Sequence, residues 1–215
     1  TKVFAYTNHT VLPEALETWP VGLLGRVLPR HLEIIFEINH RFLDWVRKER
    51  PGDEGLLSRV SIIEEGPVKK ARMVNLAIVG SHSVNGVAAL HSEILKKSLF
   101  RDFHELYPGK FKNITNGITQ RRWLLQANPL LSDLITKTIG ADWIVDLYKL
   151  EKLLPHAEDK AFRTEWMKVK RANKERFSTY VYEQTGVRPD PDAMFDMQTK
   201  RIHEYKRQVL KVLHV

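Results

Sequence analysis

Met73, Val74, Leu76, Ala77, Ile78 and Val79 form a compact apolar run that halts at Gly80 and gives way to Ser81, His82 and Ser83. A run this short and continuous predicts a strand buried on both faces, as in parallel sheets. A helix is expected next, from about Asn85 to Lys97, with Val87, Leu90, Ile94 and Leu95 along one side. Strand, polar turn and helix in that order make an α/β unit. Ligands of open α/β sheets gather beyond the carboxyl ends of strands, so this turn is a candidate pocket wall. A second such turn, Thr7 to Thr10, follows a short strand at Phe4, Ala5 and Tyr6. Pro13 then suits the first position of a helix running to Trp19.

The rest of the chain reads as helix-rich. From His31 to Arg47, Leu32, Ile35, Ile38, Phe42, Trp45 and Val46 recur at three- and four-residue spacings, an amphipathic helix that Pro51-Gly52 ends. Residues 111–123 have little helical period and contain the turn signal Asn116-Gly117, which places a domain crossing there: residues 1–116 on one side, 117–215 on the other. Helices are predicted at Pro129 to Ile139, around Trp143 to Leu153, and from about Asp159 to Gln184, where Gly186 stops the last. Ala193 to Thr199 alternates like a strand, and a further helix starts near His203. The chain opens at Thr1 and closes on the apolar stripe Val209, Leu210, Val212, Leu213 and Val215, which reads as an internal piece of something longer.

Composition removes several classes of function. With no cysteine there are no disulfides, thiolate metal sites or cysteine nucleophiles. His82, His91 and His104 match no helical metal spacing, so no metal is expected. No apolar stretch approaches the ~18 residues of a spanning helix, so no membrane association is expected. Glycine-rich nucleotide motifs and the nucleophile elbow are missing. The net charge of +8 suits nucleic acid, but Phe162, Trp166, Phe177 and Tyr180 fall mostly at helical steps. They are expected on a buried stripe, whereas a single-strand reader needs exposed aromatics beside its cations. Nucleic acid is therefore not an expected partner.

The densest chemical constellation is Lys200-Arg201-Ile202-His203-Glu204-Tyr205-Lys206-Arg207, predicted at a strand-to-helix turn. Crowded cations there suit an anion, and phosphate above others, because arginine offers a bidentate fork and lysine a point charge. The same residues also fit a solvated basic face, for which the predicted strand end is the counterargument. His9, Asn116 and Trp123 are each compatible with a ligand. Taken singly, they also fit a surface histidine, a turn former and a core tryptophan.

Four runs, in order, resemble the glycogen/starch/maltodextrin phosphorylases, the alpha-glucan phosphorylase family, with the resemblance covering all 215 residues. They are Phe-Ala-Tyr-Thr-Asn-His-Thr-Val-Leu-Pro-Glu-Ala from Phe4, Gly-Ser-His-Ser-Val-Asn-Gly-Val-Ala from Gly80, Thr-Asn-Gly-Ile-Thr from Thr115, and Lys-Arg-Ile-His-Glu-Tyr-Lys-Arg-Gln from Lys200. The resemblance implies a fragment of a GT-B-type glycosyltransferase with two Rossmann-like lobes, residues 1–116 ending the N-terminal lobe and 117–215 starting the C-terminal, cofactor-binding one. It implies reversible phosphorolysis of an alpha-1,4-glucan by inorganic phosphate to alpha-glucose 1-phosphate. Pyridoxal 5'-phosphate is the implied cofactor, used through its phosphate. It also implies an allosteric, homodimeric enzyme of the cytoplasm, or of the plastid in a plant.

By the same resemblance, Lys200 and Lys206 match the lysines near the cofactor phosphate and Arg201 the arginine of the substrate phosphate. Tyr205 lies beside them, and Trp123 matches the tryptophan against the pyridine ring. His9 and Asn116 match the pair at the glucose 6-hydroxyl, Val87 a wall of the sugar site, and His203 a supporting residue. Gln120 stands where most members carry proline, a change expected to matter little. The family's Schiff-base lysine and the glycine-rich loop of its N-terminal lobe have no counterpart here. The chain by itself is therefore expected to be inactive, holding half a site. The alternative is an inactive carbohydrate-binding or interaction fragment of the same family.

Overall fold

The structure, a computed structural model, describes residues 3–215, which fall into two compact units, one ending at Gly117 and the other running Ile118–Val215. It mixes helix and sheet, with helix predominating.

In the first unit the chain runs β1 (Ala5–Thr7), a 3₁₀ turn (Pro13–Ala15), β2 (Thr18–Pro20), α1 (Val21–Val27), α2 (Pro29–Glu49), α3 (Glu54–Val60), β3 (Ile63–Glu64), β4 (Lys70–Arg72), α4 (Met73–Gly80), β5 (Ser83–Gly86) and α5 (Ala89–Ile94). A wider π turn (Leu95–Leu99), α6 (Arg101–Leu106) and β6 (Phe111–Asn113) complete it. β5 lies between β1 and β6 in a parallel sheet, with Tyr6 opposite Val84 and Val84 opposite Phe111. β4 lies between β2 and β3 in an antiparallel one.

The expected amphipathic helix is α2, which buries Ile35, Asn39, Phe42 and Val46. Phe42 and Val46 join Val60, Ile78, Val84, Leu95 and Phe103 in the main core. Val46, Val60, Ile78 and Val84 are sealed from solvent, and each such burial contributes roughly 1.5–3 kcal/mol. Asn39 ties α2 to the segment after α3: its Oδ1 accepts the Ile62 amide at 2.8 Å and its Nδ2 donates to Ser61 Oγ at 3.2 Å.

Three expectations fail in this unit. The run Met73 to Val79 is helix α4, not a strand. It touches both apolar clusters, Val74 and Ile78 in one and Met73 and Leu76 against the other. A short helix covered all round needs apolar residues all round, so its sequence carries no period. The parallel strand is instead the polar stretch Ser83–Gly86, where pairing on both edges overrides weak strand propensity. The following helix is accordingly shorter than predicted, and Leu90 is exposed. Pro13 begins only a single 3₁₀ turn, because Thr18 and Trp19 are drawn into pairing with Arg72 and Ala71.

The second unit contains a π turn (Arg121–Gln126), α7 (Pro129–Ile139), 3₁₀ turns (Asp142–Ile144 and Leu147–His156), α8 (Lys160–Thr185), a 3₁₀ turn (Glu204–Lys206) and α9 (Gln208–His214). α8 starts where Asp159 Oδ1 accepts the Ala161 amide at 2.8 Å, and Gly186 closes it at φ 76°. Trp143 is sealed beside α7, its indole donating to Thr136 Oγ1 at 3.1 Å. The helix expected over Trp143 to Leu153 is replaced by the two 3₁₀ turns. Along α8, Phe162, Trp166 and Phe177 are half-buried, but Tyr180 is exposed, so the aromatic stripe is shorter than its spacing suggests. Ala193 to Thr199 is irregular rather than a strand. Phe195 rests on Phe177 with ring centres 5.9 Å apart, and alternation without a partner strand makes no ladder. No described helix is long and apolar enough to cross a membrane.

Candidate functional site

His9, Val87 and Asn116, far apart in sequence, leave the same edge of the parallel sheet. β1 runs into Asn8, whose amide donates to Asn85 O at 2.9 Å, and His9 follows. β5 ends at Gly86 and Val87 follows. Beyond β6, Ile114 N donates to Gly86 O at 3.1 Å and Asn116 N to Val87 O at 2.8 Å, so the chain stays laced to β5 up to Asn116. All three residues therefore emerge past the carboxyl ends of parallel strands, where open α/β sheets hold ligands. The turn Ser81-His82-Ser83 leads into β5, whose first residue is Ser83, and so lies at the other end of that strand and is no pocket wall of this edge.

Asn8 is the anchor of the first loop. It is 1% exposed, accepts the Thr10 amide at 3.0 Å through Oδ1 and donates to the Tyr6 hydroxyl at 3.1 Å through Nδ2. Burial pushes the Tyr6 phenol up, and the hydrogen bond from Asn8 partly opposes this. With both neighbours held, His9 has a fixed backbone and an exposed side chain. Spacing alone considers His91 only as a possible metal ligand and passes over Ser92 altogether. In the structure His91 Nε2 stands 3.1 Å from Asn8 O, and Ser92 Oγ 2.8 Å from Asn113 Oδ1.

In the second unit, Lys200 and Arg201 lie exposed in irregular chain, and Tyr205 and Lys206 are half-buried in a 3₁₀ turn. Ala193 to Thr199 is irregular rather than the predicted strand, so no strand end presents these cations. Arg201 O accepts Gln208 Nε2 at 2.9 Å. His203 caps the turn, its Nδ1 accepting the Tyr205 amide at 3.4 Å. Lys206 Nζ lies 5.1 Å from the Tyr205 ring centre. Arg207 has φ 54°, the one non-glycine residue in the left-handed region among the described residues. A conformation of this kind costs of order 1–3 kcal/mol and tends to occur where function constrains the chain. Of the 18 ion pairs among the described residues, none involves Lys200, Arg201, Lys206 or Arg207, although Lys211 pairs with Asp196 close by. Four cations left without a carboxylate suit an anionic ligand.

Trp123, in the π turn, is 68% exposed, so it is neither core nor covered in this unit. Gln120 is more than a stand-in for proline. It is buried, with φ −62°, and its Nε2 donates to Trp143 O at 3.3 Å and Ile144 O at 2.9 Å.

Comparison with known proteins agrees with the motifs. The chain is 56% identical over 214 residues to the muscle form of glycogen phosphorylase from Bos taurus, and 57% over 211 residues to that from Homo sapiens. It is 54% identical over 212 residues to glycogen phosphorylase from Synechocystis. These alignments cover 98–100% of the chain, which spans about a quarter of the length of each of these curated relatives. The family described as carbohydrate phosphorylase matches residues 1–215. Since that match runs from the first residue to the last, the chain belongs to the carbohydrate phosphorylase family.

Proposed function

We propose that the chain is part of an alpha-glucan phosphorylase of GT-B-type fold. Residues 1–116 end its N-terminal lobe, and 117–215 begin the lobe that binds pyridoxal phosphate. The complete protein catalyses reversible phosphorolysis of an alpha-1,4-glucan, yielding alpha-glucose 1-phosphate, and works as an allosteric homodimer in the cytoplasm or plastid. The observation that carries this reading is the set of cations at residues 200–207 that pair with no carboxylate among the described residues, in a chain 54–57% identical to glycogen phosphorylases.

The donor set fits the cofactor phosphate. Lys200 and Lys206 have no carboxylate competing for them among the described residues, and the exposed indole of Trp123 offers a flat face to an aromatic ring. When bound, the cofactor supplies a phosphate able to exchange a proton with a neighbouring phosphate. Arg201 would hold the substrate phosphate with its two-pronged guanidinium, and Tyr205 would line the same pocket. Two phosphates side by side repel by roughly 4 kcal/mol per pair of unit charges at 4 Å and an effective dielectric of 20, so several cations are needed to hold both. In the sugar site, His9 and Asn116 would bind the 6-hydroxyl of the terminal glucosyl residue, with Val87 as an apolar wall. His203 would support the phosphate site by holding the turn that carries Tyr205 and Lys206.

The test is Arg201→Ala in the full-length protein. The expected result is a rise in KM for phosphate of about tenfold or more, the scale of a lost charge-assisted hydrogen bond, with KM for glucan little changed. An unchanged phosphate dependence would remove Arg201 from this role.

A further inference from the structure

Two adjacent residues of α5 reach the two loops that carry His9 and Asn116. His91 Nε2 lies 3.1 Å from the carbonyl oxygen of Asn8. That oxygen can only accept, so Nε2 carries a proton there. Ser92 Oγ stands 2.9 Å from Ala88 O and 2.8 Å from Asn113 Oδ1, its single proton shared between two acceptors. Asn113 Nδ2 in turn donates to Thr115 Oγ1 at 3.2 Å, one residue before Asn116. One helix thus grips the first loop at Asn8 and the second at its root, Asn113, the last residue of β6.

The grip is rigid on the helix side. Ser92 is 3% exposed and lies against Gly86, the residue that ends β5. Its amide donates to Ala88 O at 2.9 Å. Both segments are also laced to β5 through the backbone amides of Asn8, Ile114 and Asn116, so loss of either side-chain contact would leave that lacing in place and loosen one loop against α5 rather than release it.

We propose that His91 and Ser92 are positioning residues that set the spacing between His9 and Asn116, and through it the enzyme's preference for a glucosyl group bearing a 6-hydroxyl. This rests on the reading of His9 and Asn116 as the sugar-binding pair. Neither α5 residue touches the substrate; each acts by holding a loop. Selectivity is sensitive to such holding because a hydroxyl bound by two donors or acceptors is penalised when either is displaced by a fraction of an ångström.

The experiment compares glucose 1-phosphate with 6-deoxyglucose 1-phosphate in glucan synthesis by the full-length enzyme. The variants are His9→Ala, His91→Ala, His91→Gln and Ser92→Ala. His91→Ala and Ser92→Ala should each cut the kcat/KM preference for the 6-hydroxyl by about tenfold, mainly by slowing the natural substrate. His91→Gln, whose amide nitrogen can replace Nε2 as donor, should restore it. In Ser92→Ala, hydrogen exchange should quicken in a peptide covering residues 113–117 and stay at the parental rate in β5. Parental preference in both α5 variants, with preference lost in His9→Ala, would overturn the proposal while sparing the sugar site. Parental preference in His9→Ala would overturn the sugar-site reading and this proposal together. Faster exchange in β5 as well would make Ser92 a folding residue and overturn its positioning role. If Ser92→Ala fails to fold, the His91 pair decides alone.

Discussion

Gly86 lies so close to Ser92 that a Cβ built on it would come within 2.9 Å of the Ser92 Cα. The backbone of β5 and the first turn of α5 meet there without room for a methyl group. Gly86→Ala is expected to destabilise the chain by about 1–3 kcal/mol through overpacking. Gly80, which has nothing within 4 Å of its would-be Cβ, serves as the control, and Gly80→Ala should be neutral or slightly stabilising. Urea midpoints decide the matter, and equal midpoints for the two variants would refute the close approach.

Gln120 fastens the π turn to the 3₁₀ turn at Asp142–Ile144 through two carbonyl acceptors. Gln120→Ala should cost about 1–3 kcal/mol, since both bonds vanish in a buried place. Gln120→Pro keeps the observed φ of −62° and stiffens the unfolded chain, so it should cost about 0.4–1 kcal/mol less than alanine. Denaturant unfolding followed by tryptophan fluorescence reads both. A parental midpoint in the alanine variant would show that the bonds contribute nothing.

Burial pushes the Tyr107 phenol up to about 12 from its ordinary 10.0. Between those two values the unfolded chain has released the proton and the folded chain retains it. The unfolded state then binds fewer protons, and stability falls as pH rises. Lys110, 4.0 Å above the Tyr107 ring and donating to Ile78 O at 2.9 Å, works in the opposite sense, because burial pulls its ammonium below the usual lysine value. Stability from that group rises with pH up to its ordinary 10.5. Tyr107→Phe should therefore flatten the alkaline loss of stability. The same slope in variant and parent, measured by unfolding across pH 10 to 12, would count against the burial of the phenol.

Lys200→Ala in the full-length protein should weaken retention of pyridoxal phosphate, seen as lower cofactor absorbance after dialysis. Its ammonium has no carboxylate partner among the described residues, so the variant leaves no stranded charge behind and should fold like the parent. Equal occupancy in both proteins would take Lys200 out of the cofactor site.

Features set by residues close in sequence were legible from spacing. α2 falls where three- and four-residue periods put it, α7 begins at Pro129 and ends at Ile139 as its start and stop signals direct, and α8 follows its cap Asp159 and ends before Gly186. The motifs around His9, Asn116 and Lys200 likewise point to a phosphorylase without any coordinates. Where burial is uniform or pairing is distant, pattern misleads. α4 is apolar on every side and so mimics a buried strand, whereas β5 is polar enough to mimic a turn. Ala193 to Thr199 alternates like a strand but has no ladder to join.

By itself the sequence determined the helix-rich α/β character, the capped helices and the family, because each depends on local periodicity or on runs of identical residues. Only the tertiary structure decided that Ser83–Gly86 is the middle strand of the parallel sheet. It also decided that His9, Val87 and Asn116 leave one edge of that sheet, and that His91 and Ser92 grip two of their loops. Those relations join residues tens of positions apart through backbone hydrogen bonds and single side-chain contacts. Such contacts leave no repeat along the chain, since either partner would satisfy its local preferences as well in some other setting.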